Sequence, residues 1–285
     1  MNEPTKSISD LQLKKDKVLA VDGDTLAYRT AAVCETHFEG AAYPIILSTL
    51  KEIVAETGVT NLRIYLSGKS NFRYNLAKTK PYKGNRTTMV KPQYLQSTRD
   101  HLIEAYNAFV VEGFEADDAI ATDMTVNGAI HCGVDKDILQ IPGLHYNYVK
   151  KEWIEISPEE AELTLYRQIL MGDSSDNIPG LPRVGEKKAF DAIQCVETAY
   201  DDCLAMYEQV VRMSLPGVNH LEYMAEQIGL VKMRTDVPLI FVKPTDMLVS
   251  TCVMELDTAG FKAQEDGYID TNTKQETVEK RSLKL

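Results

Sequence analysis

The run Val18-Leu19-Ala20-Val21 is wholly apolar and stops abruptly at Asp22-Gly23-Asp24. Four consecutive aliphatic residues before a turn describe a strand buried on both faces, the kind found in parallel sheets. Asn61 to Leu66, Ala108 to Val111 and Ala129 to Val134 have a similar character, with helical stretches between them. Such alternation predicts an α/β fold, a mainly parallel central sheet flanked by helices. Ligands of these sheets gather beyond the carboxyl ends of the strands. Asp22 and the pair Asp135/Asp137 each follow one of the apolar runs, so the pattern carries distant acids to one rim.

Two more stretches add acids beside small or turn-forming residues: Phe114-Glu115-Ala116-Asp117-Asp118-Ala119 and Met171 to Gly180. On a helix, Glu115 and Asp118 share a face, with Asp117 about 100° around from Asp118. Asp135 and Asp137 lie on the same side of an extended segment, and Asp173 and Asp176 flank a turn that can aim both inward. Taken singly, these are ordinary helix-terminal or turn acids. Together Asp22, Glu115, Asp117, Asp118, Asp135, Asp137, Asp173 and Asp176 exceed what a proton-shuttling pair needs. They suit oxygen-coordinated Mg²⁺ or Mn²⁺ and hence metal-dependent phosphodiester hydrolysis. No GxSxG elbow is present, and His37, His101, His131, His145 and His220 lack metal-ligand spacing. The five cysteines form no CxxC pair, which argues against structural zinc or a disulfide framework.

The net charge of −11 hides a strong asymmetry. From Thr57 to Arg99 there is no acid, but there are nine basic residues, among them Lys69, Arg73, Lys78, Lys80, Lys83 and Arg86. Between Glu112 and Asp137 seven acids face only Lys136. One part is fitted to phosphates and the other to cations. Residues 69–92 are basic and poor in aliphatics, so a mobile excursion is expected there. Its Tyr74 and Tyr82, with Tyr94 beyond, offer flat faces to unstacked bases. No apolar run suits a membrane span or a secretory signal, and a cytoplasmic protein is expected.

Ser157-Pro158-Glu159-Glu160 is a strong helix start, with the helix reaching about Gly172. A turn follows, and Gly185-Glu186-Lys187-Lys188 opens a second helix. This helix–turn–helix, 159–195, presents amides and Lys187/Lys188 to a duplex backbone without reading sequence. The expected organisation is an N-terminal extension (1–17) and an α/β core (18–156) carrying the basic segment 69–92. A helical region (157–262) and a disordered tail (263–285) complete it.

In order along residues 18–240, five motifs resemble the flap endonuclease and 5′→3′ exonuclease superfamily, especially the bacteriophage 5′-nucleases. They are Val21-Asp22-Gly23, Pro81-Tyr82-Lys83-Gly84-Asn85-Arg86, Glu115-Ala116-Asp117-Asp118, Asp135-Lys136-Asp137 and Gly172-Asp173 through Ala189. Lys232 to Leu239 resembles the close of that family's nuclease region, and the 5′-nuclease domain of bacterial DNA polymerase I is similar. The resemblance implies a PIN-like fold with a helical arch and two metal ions, Asp22, Glu115, Asp117 and Asp118 holding one. Asp135, Asp137, Asp173 and Asp176 would hold the other. It implies scissile-phosphate contacts from Lys83 and Arg86, and stacking of Tyr82 on the terminal unpaired nucleotide. The loop Asn177 to Glu186, with Gly180 and Gly185, would bind a duplex arm with a backbone-bound K⁺. The substrate implied is branched or 5′-ended DNA, or an RNA–DNA hybrid, cut by a monomer in phage replication or repair.

One departure stands out. The family places an Asp after the second strand, where this chain has Gly68, and Asp24 is the candidate to replace it. Arg183 also stands where the family's hairpin commonly has Gly. A catalytically silent DNA-junction binder and a PIN-like ribonuclease are the alternative functions.

Overall fold

The computed structural model describes residues 17–239 and the two-residue strand Thr245–Asp246; the extension before residue 17 and the tail 263–285 lie outside the described residues. Among the described residues seven strands form one sheet: β1 (Val18–Asp22), β2 (Asn61–Asn71), β3 (Phe109–Gly113), β4 (Ile130–Cys132), β5 (Gly143–Asn147), β6 (Glu152–Ile156) and β7 (Thr245–Asp246). The order is β3-β2-β1-β4-β5-β6, with β7 against the start of β2. β1 to β5 pair in parallel, while β6 and β7 are antiparallel. The hairpin of β5 and β6 has no counterpart among the expected strands.

Alternation along β1 decides which helices cover which face. Leu19 and Val21 join the cluster packed with Leu26 and Ala27 of α1 (Gly23–Cys34). Ile46, Leu50 and Ile53 of α2 (Ala42–Thr57) are in the same cluster. Ala20 points the other way, into a cluster with Ala119, Ile120 and Met124. Those three lie on α5 (Ala116–Asn127). β2 carries a short α3 (Arg73–Leu76) after it, and α4 (Leu95–Tyr106) returns the chain to β3.

The helical region begins as the sequence dictates. Ser157 caps α6 (Pro158–Met171): its hydroxyl accepts from the Glu160 amide, and the Glu160 carboxylate accepts from the Ser157 amide. α7 (Glu186–Ala192), α8 (Ala199–Ser214) and α9 (His220–Val231) follow. Ile169, Leu181, Ala189, Cys203, Tyr207 and Tyr223 make a separate core. Between α6 and α7 the backbone doubles back so closely that a Cβ on Gly172 would lie 2.4 Å from the Gly180 amide. Both glycines adopt positive φ, 67° and 57°. Arg183 also takes a left-handed φ of 62°, where the family's glycine would sit without strain.

Among the described residues no helix is long and apolar enough to cross a membrane. Residues 69–92 depart from the mobile excursion expected of them. β2 continues through Asn71, and the Lys83 amide donates to the Asp176 carbonyl. Asn85 Nδ2 and Arg86 Nε reach the Ser174 and Ser175 carbonyls. Hydrogen bonds to the backbone of 174–176 replace the aliphatic anchors whose scarcity suggested mobility.

Candidate active site

The carboxyl ends of β1, β3 and β4 and the turn after α6 surround one cavity of about 430 Å³. Eight acids line it: Asp22, Asp24, Glu115, Asp117, Asp135, Asp137, Asp173 and Asp176. Facing them are Lys69, Arg73, Lys83, Arg86, Lys91 and Arg99, with Tyr28 and Tyr74 among the aromatic neighbours.

Asp22 ends β1 and caps α1, accepting from the Thr25 amide at 3.0 Å and from its hydroxyl. Its carboxyl is raised to about 6, chiefly by burial, with the Thr25 bonds opposing and Asp24 and Asp135 adding to the rise. Asp117 is held well above the usual carboxylate range by burial and by Asp22, Asp135 and Glu115, with Lys83 opposing them. Asp137 is raised to about 7 by burial, Asp135 and Asp173. Asp135 and Asp137 occupy a bend leading into a 3₁₀ turn, where the Asp135 carboxylate accepts from the Asp137 amide at 2.8 Å. The extended segment expected there is absent. Asp173 forms an Asx turn onto Ser175, and a two-way backbone bridge joins Asp173 to Ile178.

Tyr82 is 4% exposed and donates from one hydroxyl position toward Glu115 (2.8 Å) and Asp176 (2.6 Å). Burial and the two carboxylates drive its phenol far upward, so it stays protonated and bridges them. Lys83 pairs with Glu115 and stands 3.5 Å from Asp176, which also pairs with Arg86. A buried ring cannot offer its face to a base as the sequence suggested. The exposed rings on this cavity belong to Tyr74 and to Tyr28, which the sequence reading missed. Tyr28 lies six residues after Asp22, on α1, the one signal that could have found it.

Asp118 is absent from the cavity wall. Glu115 has extended backbone, φ −94° and ψ 162°, because it caps α5 instead of lying on it. The shared face inferred from their spacing therefore does not exist. Asp118 turns into the protein, where its oxygens accept from Arg73 (2.6 and 2.8 Å), the Glu115 amide and the Arg234 amide. Arg73 is correspondingly buried and spends its remaining donors on the Leu230 and Lys232 carbonyls. Neither metal binding by Asp118 nor DNA contact by Arg73 is compatible with these positions. The same bonds explain the motif Lys232 to Leu239, which crosses back over α5.

Gly68 lines the cavity within a β2 bulge, where four steps from Ser67 to Asn71 match two from Val111 to Gly113. A Cβ on Gly68 would lie 2.6 Å from the Val111 carbonyl and 2.5 Å from Glu112 Cδ. An Asp does not fit. Asp24 reaches the cavity, held by the Ser67 amide at 2.9 Å and by Arg99.

Lys69 is exposed on the cavity, while Lys78 and Lys80 are exposed outside its lining. Gly185, Lys187 and Lys188 lie exposed at the start of α7, with Lys188 donating to the Arg183 carbonyl. Gly180 is buried and its amide donates to Gln227, so it has no free N–H for a phosphate.

Among the described residues no three acids, histidines or cysteines converge tightly enough to hold a metal ion as they stand. The donor set nevertheless fits divalent cations: oxygen ligands, and buried carboxylates that raise one another's proton affinity.

No family model matches the chain. It is 26% identical over 276 residues to the 5′-3′ exonuclease of Buchnera aphidicola subsp. Schizaphis graminum, covering 85% of this chain and 95% of that protein. It is 29% identical over 257 residues to DNA polymerase I of Bacillus caldotenax, covering 79% of this chain but 29% of the polymerase. The fold is similar to that of the bacteriophage T5 flap endonuclease, solved as a pseudo-enzyme-product complex with DNA and metal ions. There the TM-score is 0.59 at 19% identity, over 77% of this chain and 90% of that one. With its mostly parallel sheet, its rim of strand-end acids and these relatives along most of its length, the chain is similar to 5′→3′ exonucleases and the polymerase-linked 5′ nucleases, and it has the fold of a flap endonuclease.

Proposed function

We propose that the chain is a structure-specific 5′ nuclease that hydrolyses DNA with bound divalent cations, Mg²⁺ or Mn²⁺. The observation that carries this is one cavity lined by eight carboxylates and six lysines and arginines. Such a cavity repels a phosphodiester until cations neutralise it. The alternatives, a silent junction binder and a ribonuclease, have no feature in this cavity that favours them over DNA hydrolysis.

Asp22, Asp117 and Glu115 would hold one cation, and Asp135, Asp137, Asp173 and Asp176 a second, with Asp24 beside the first in place of an Asp at Gly68. Bound there, a divalent cation lowers the pKa of water and acts as a Lewis acid toward phosphate oxygen. Lys83 and Arg86 stand beside the carboxylates to bind the non-bridging oxygens of the scissile phosphate. Tyr82, locked in its protonated form, keeps Glu115 and Asp176 a fixed distance apart. Tyr28 and Tyr74 present rings on which the terminal base stacks. Lys69, Lys78 and Lys80 would track the single strand, and Gly185, Lys187 and Lys188 the duplex phosphates. We assign the core to residues 18–156 and the duplex-binding part to the helices from 157 onward. The fitting substrates are branched or 5′-ended DNA, with an RNA–DNA hybrid as a further candidate, acted on by a monomer.

The test is Asp135→Asn with Asp137→Asn, assayed on a labelled 5′ flap, a nicked duplex and single-stranded RNA, with and without Mg²⁺. Cutting of the DNA substrates should vanish in the double variant while gel-shift binding persists. A double variant that still cuts at full speed, or a wild type that cuts only RNA, would overturn the proposal.

A further inference from the structure

Glu226 lies on α9, buried, with both carboxylate oxygens committed to one short stretch of the basic segment. Oε1 accepts from the Lys78 and Thr79 amides, each at 2.7 Å, and Oε2 accepts from the Thr79 hydroxyl at 2.6 Å. The next turn of α9 continues the grip. A Cβ at Gly229 would lie 2.4 Å from Leu76 Cδ2, so glycine there lets Leu76 seat against the helix. The Leu230 carbonyl accepts from Arg73 Nε at 2.9 Å.

The neighbouring positions of the same helix hold the hairpin between α6 and α7. Gln227 Oε1 accepts from the Gly180 amide at 3.0 Å, and the Tyr223 hydroxyl donates to the Gly180 carbonyl at 2.7 Å. Adjacent residues of α9 thus fasten two parts of the chain that are distant in sequence. One is the hairpin that carries Lys187 and Lys188. The other is the strip that leads through Lys80-Pro81-Tyr82 to Lys83. Pro81 restricts its own φ and that of its predecessor, so little slack separates Thr79 from Lys83.

We propose that Glu226 is a positioning residue that sets the register between the duplex-gripping hairpin and the basic segment, and thereby where along the strand the cut falls. This rests on the nuclease function proposed above. Losing the carboxylate frees two backbone amides and a hydroxyl at once. The segment then samples several positions relative to the duplex.

The experiment compares wild type, Glu226→Ala, Glu226→Gln and Thr79→Val by two readouts. The first is the length of products from an end-labelled 5′ flap with Mg²⁺, resolved to single nucleotides. The second is the rate of tryptic cleavage after Lys78 and Lys83 in protein free of DNA and metal. Glu226→Ala should spread one dominant product over neighbouring lengths and speed tryptic cleavage about tenfold. Glu226→Gln should restore both, because its carbonyl still accepts from the amides and its NH₂ can donate to the Thr79 oxygen. Thr79→Val, an exposed position, should lie between them and serves if Glu226→Ala fails to fold. Unchanged product length and unchanged tryptic rates would overturn the proposal, as would a uniform loss of rate at one product length. If wild type cuts no DNA, the nuclease function falls, and the tryptic rates alone decide the clamp.

Discussion

Arg73 grips Asp118 through two parallel N–H···O bonds of 2.6 and 2.8 Å, both side chains sealed from solvent. Arg73 forms part of the cavity lining and Asp118 lies behind it, at the junction of β2, α5 and the chain after α9. Glu115 is also within 3.4 Å of the same guanidinium. The two adjacent aspartates of the Glu115-Ala116-Asp117-Asp118 motif therefore do opposite work. Asp117 faces the cavity and Asp118 anchors the wall behind it.

Breaking that pair leaves a charge buried without a partner. Arg73→Ala should cost about 3–5 kcal/mol of stability, the range for an orphaned buried ion, read by chemical denaturation. Arg73→Lys should recover little, since an ammonium cannot reproduce the forked contact and also reach the Leu230 and Lys232 carbonyls. Full stability in Arg73→Ala would refute the anchoring role.

The parallel sheet and the convergence of acids could be read from apolar runs that end in Asp, because strand ends and ligand sites coincide in such folds. The caps of α6 were legible for the same local reason. Other features required tertiary information. Spacing alone put Asp118 beside Glu115, but the cap lies off the helix, and the inference failed by that one residue. Arg73 and Tyr82 looked like surface residues in a basic stretch; their partners Asp118, Asp176 and Leu230 are far away in sequence. Asp24 was named from the sequence as the replacement for the missing Asp, but its partners Ser67 and Arg99 were visible only in the fold.

Metal affinity should depend on pH in a defined direction. Asp22 and Asp137 are raised to about 6 and about 7 from 3.8, so in that window the metal-free folded chain binds more protons than the unfolded one. Its stability from these groups is greatest at low pH and is lost as pH rises toward 7, by up to about 1.4 kcal/mol per pH unit for each group. A divalent cation displaces the same protons. Mn²⁺ titrated calorimetrically near pH 6, in two buffers of different ionisation enthalpy, should release about one proton or more, and affinity should rise until about pH 7.5. Proton-independent binding across that range would contradict the assignment of these carboxylates.

Gly68→Asp, which sequence comparison suggests as a repair of the cavity, should fail to repair it. The new Cβ meets the Val111 carbonyl and Glu112, and forcing it in should cost about 1–3 kcal/mol. Thermal unfolding should fall accordingly, with no gain in Mn²⁺ affinity. Replacing Asp24 by Asn should be the substitution that weakens binding at this edge of the cavity. A Gly68→Asp protein of unchanged melting temperature and tighter metal binding would reverse both statements.

Stacking distinguishes the tyrosines. Tyr28 and Tyr74 are 41% and 54% exposed on the cavity wall, whereas Tyr82 is buried between two carboxylates. A 5′ flap carrying 2-aminopurine at its end, bound in Ca²⁺ to prevent cutting, reports stacking by quenching. Tyr28→Ala and Tyr74→Ala should each relieve the quench and weaken flap binding by about 1–3 kcal/mol, as for other base–aromatic contacts. Tyr82→Phe keeps the ring and removes only the hydroxyl shared by Glu115 and Asp176. It should leave the quench intact while changing metal affinity, because those two carboxylates then keep only Lys83 as a shared partner. Relief of quenching in Tyr82→Ala, with none in Tyr28→Ala or Tyr74→Ala, would return the stacking role to the residue that the sequence alone had favoured.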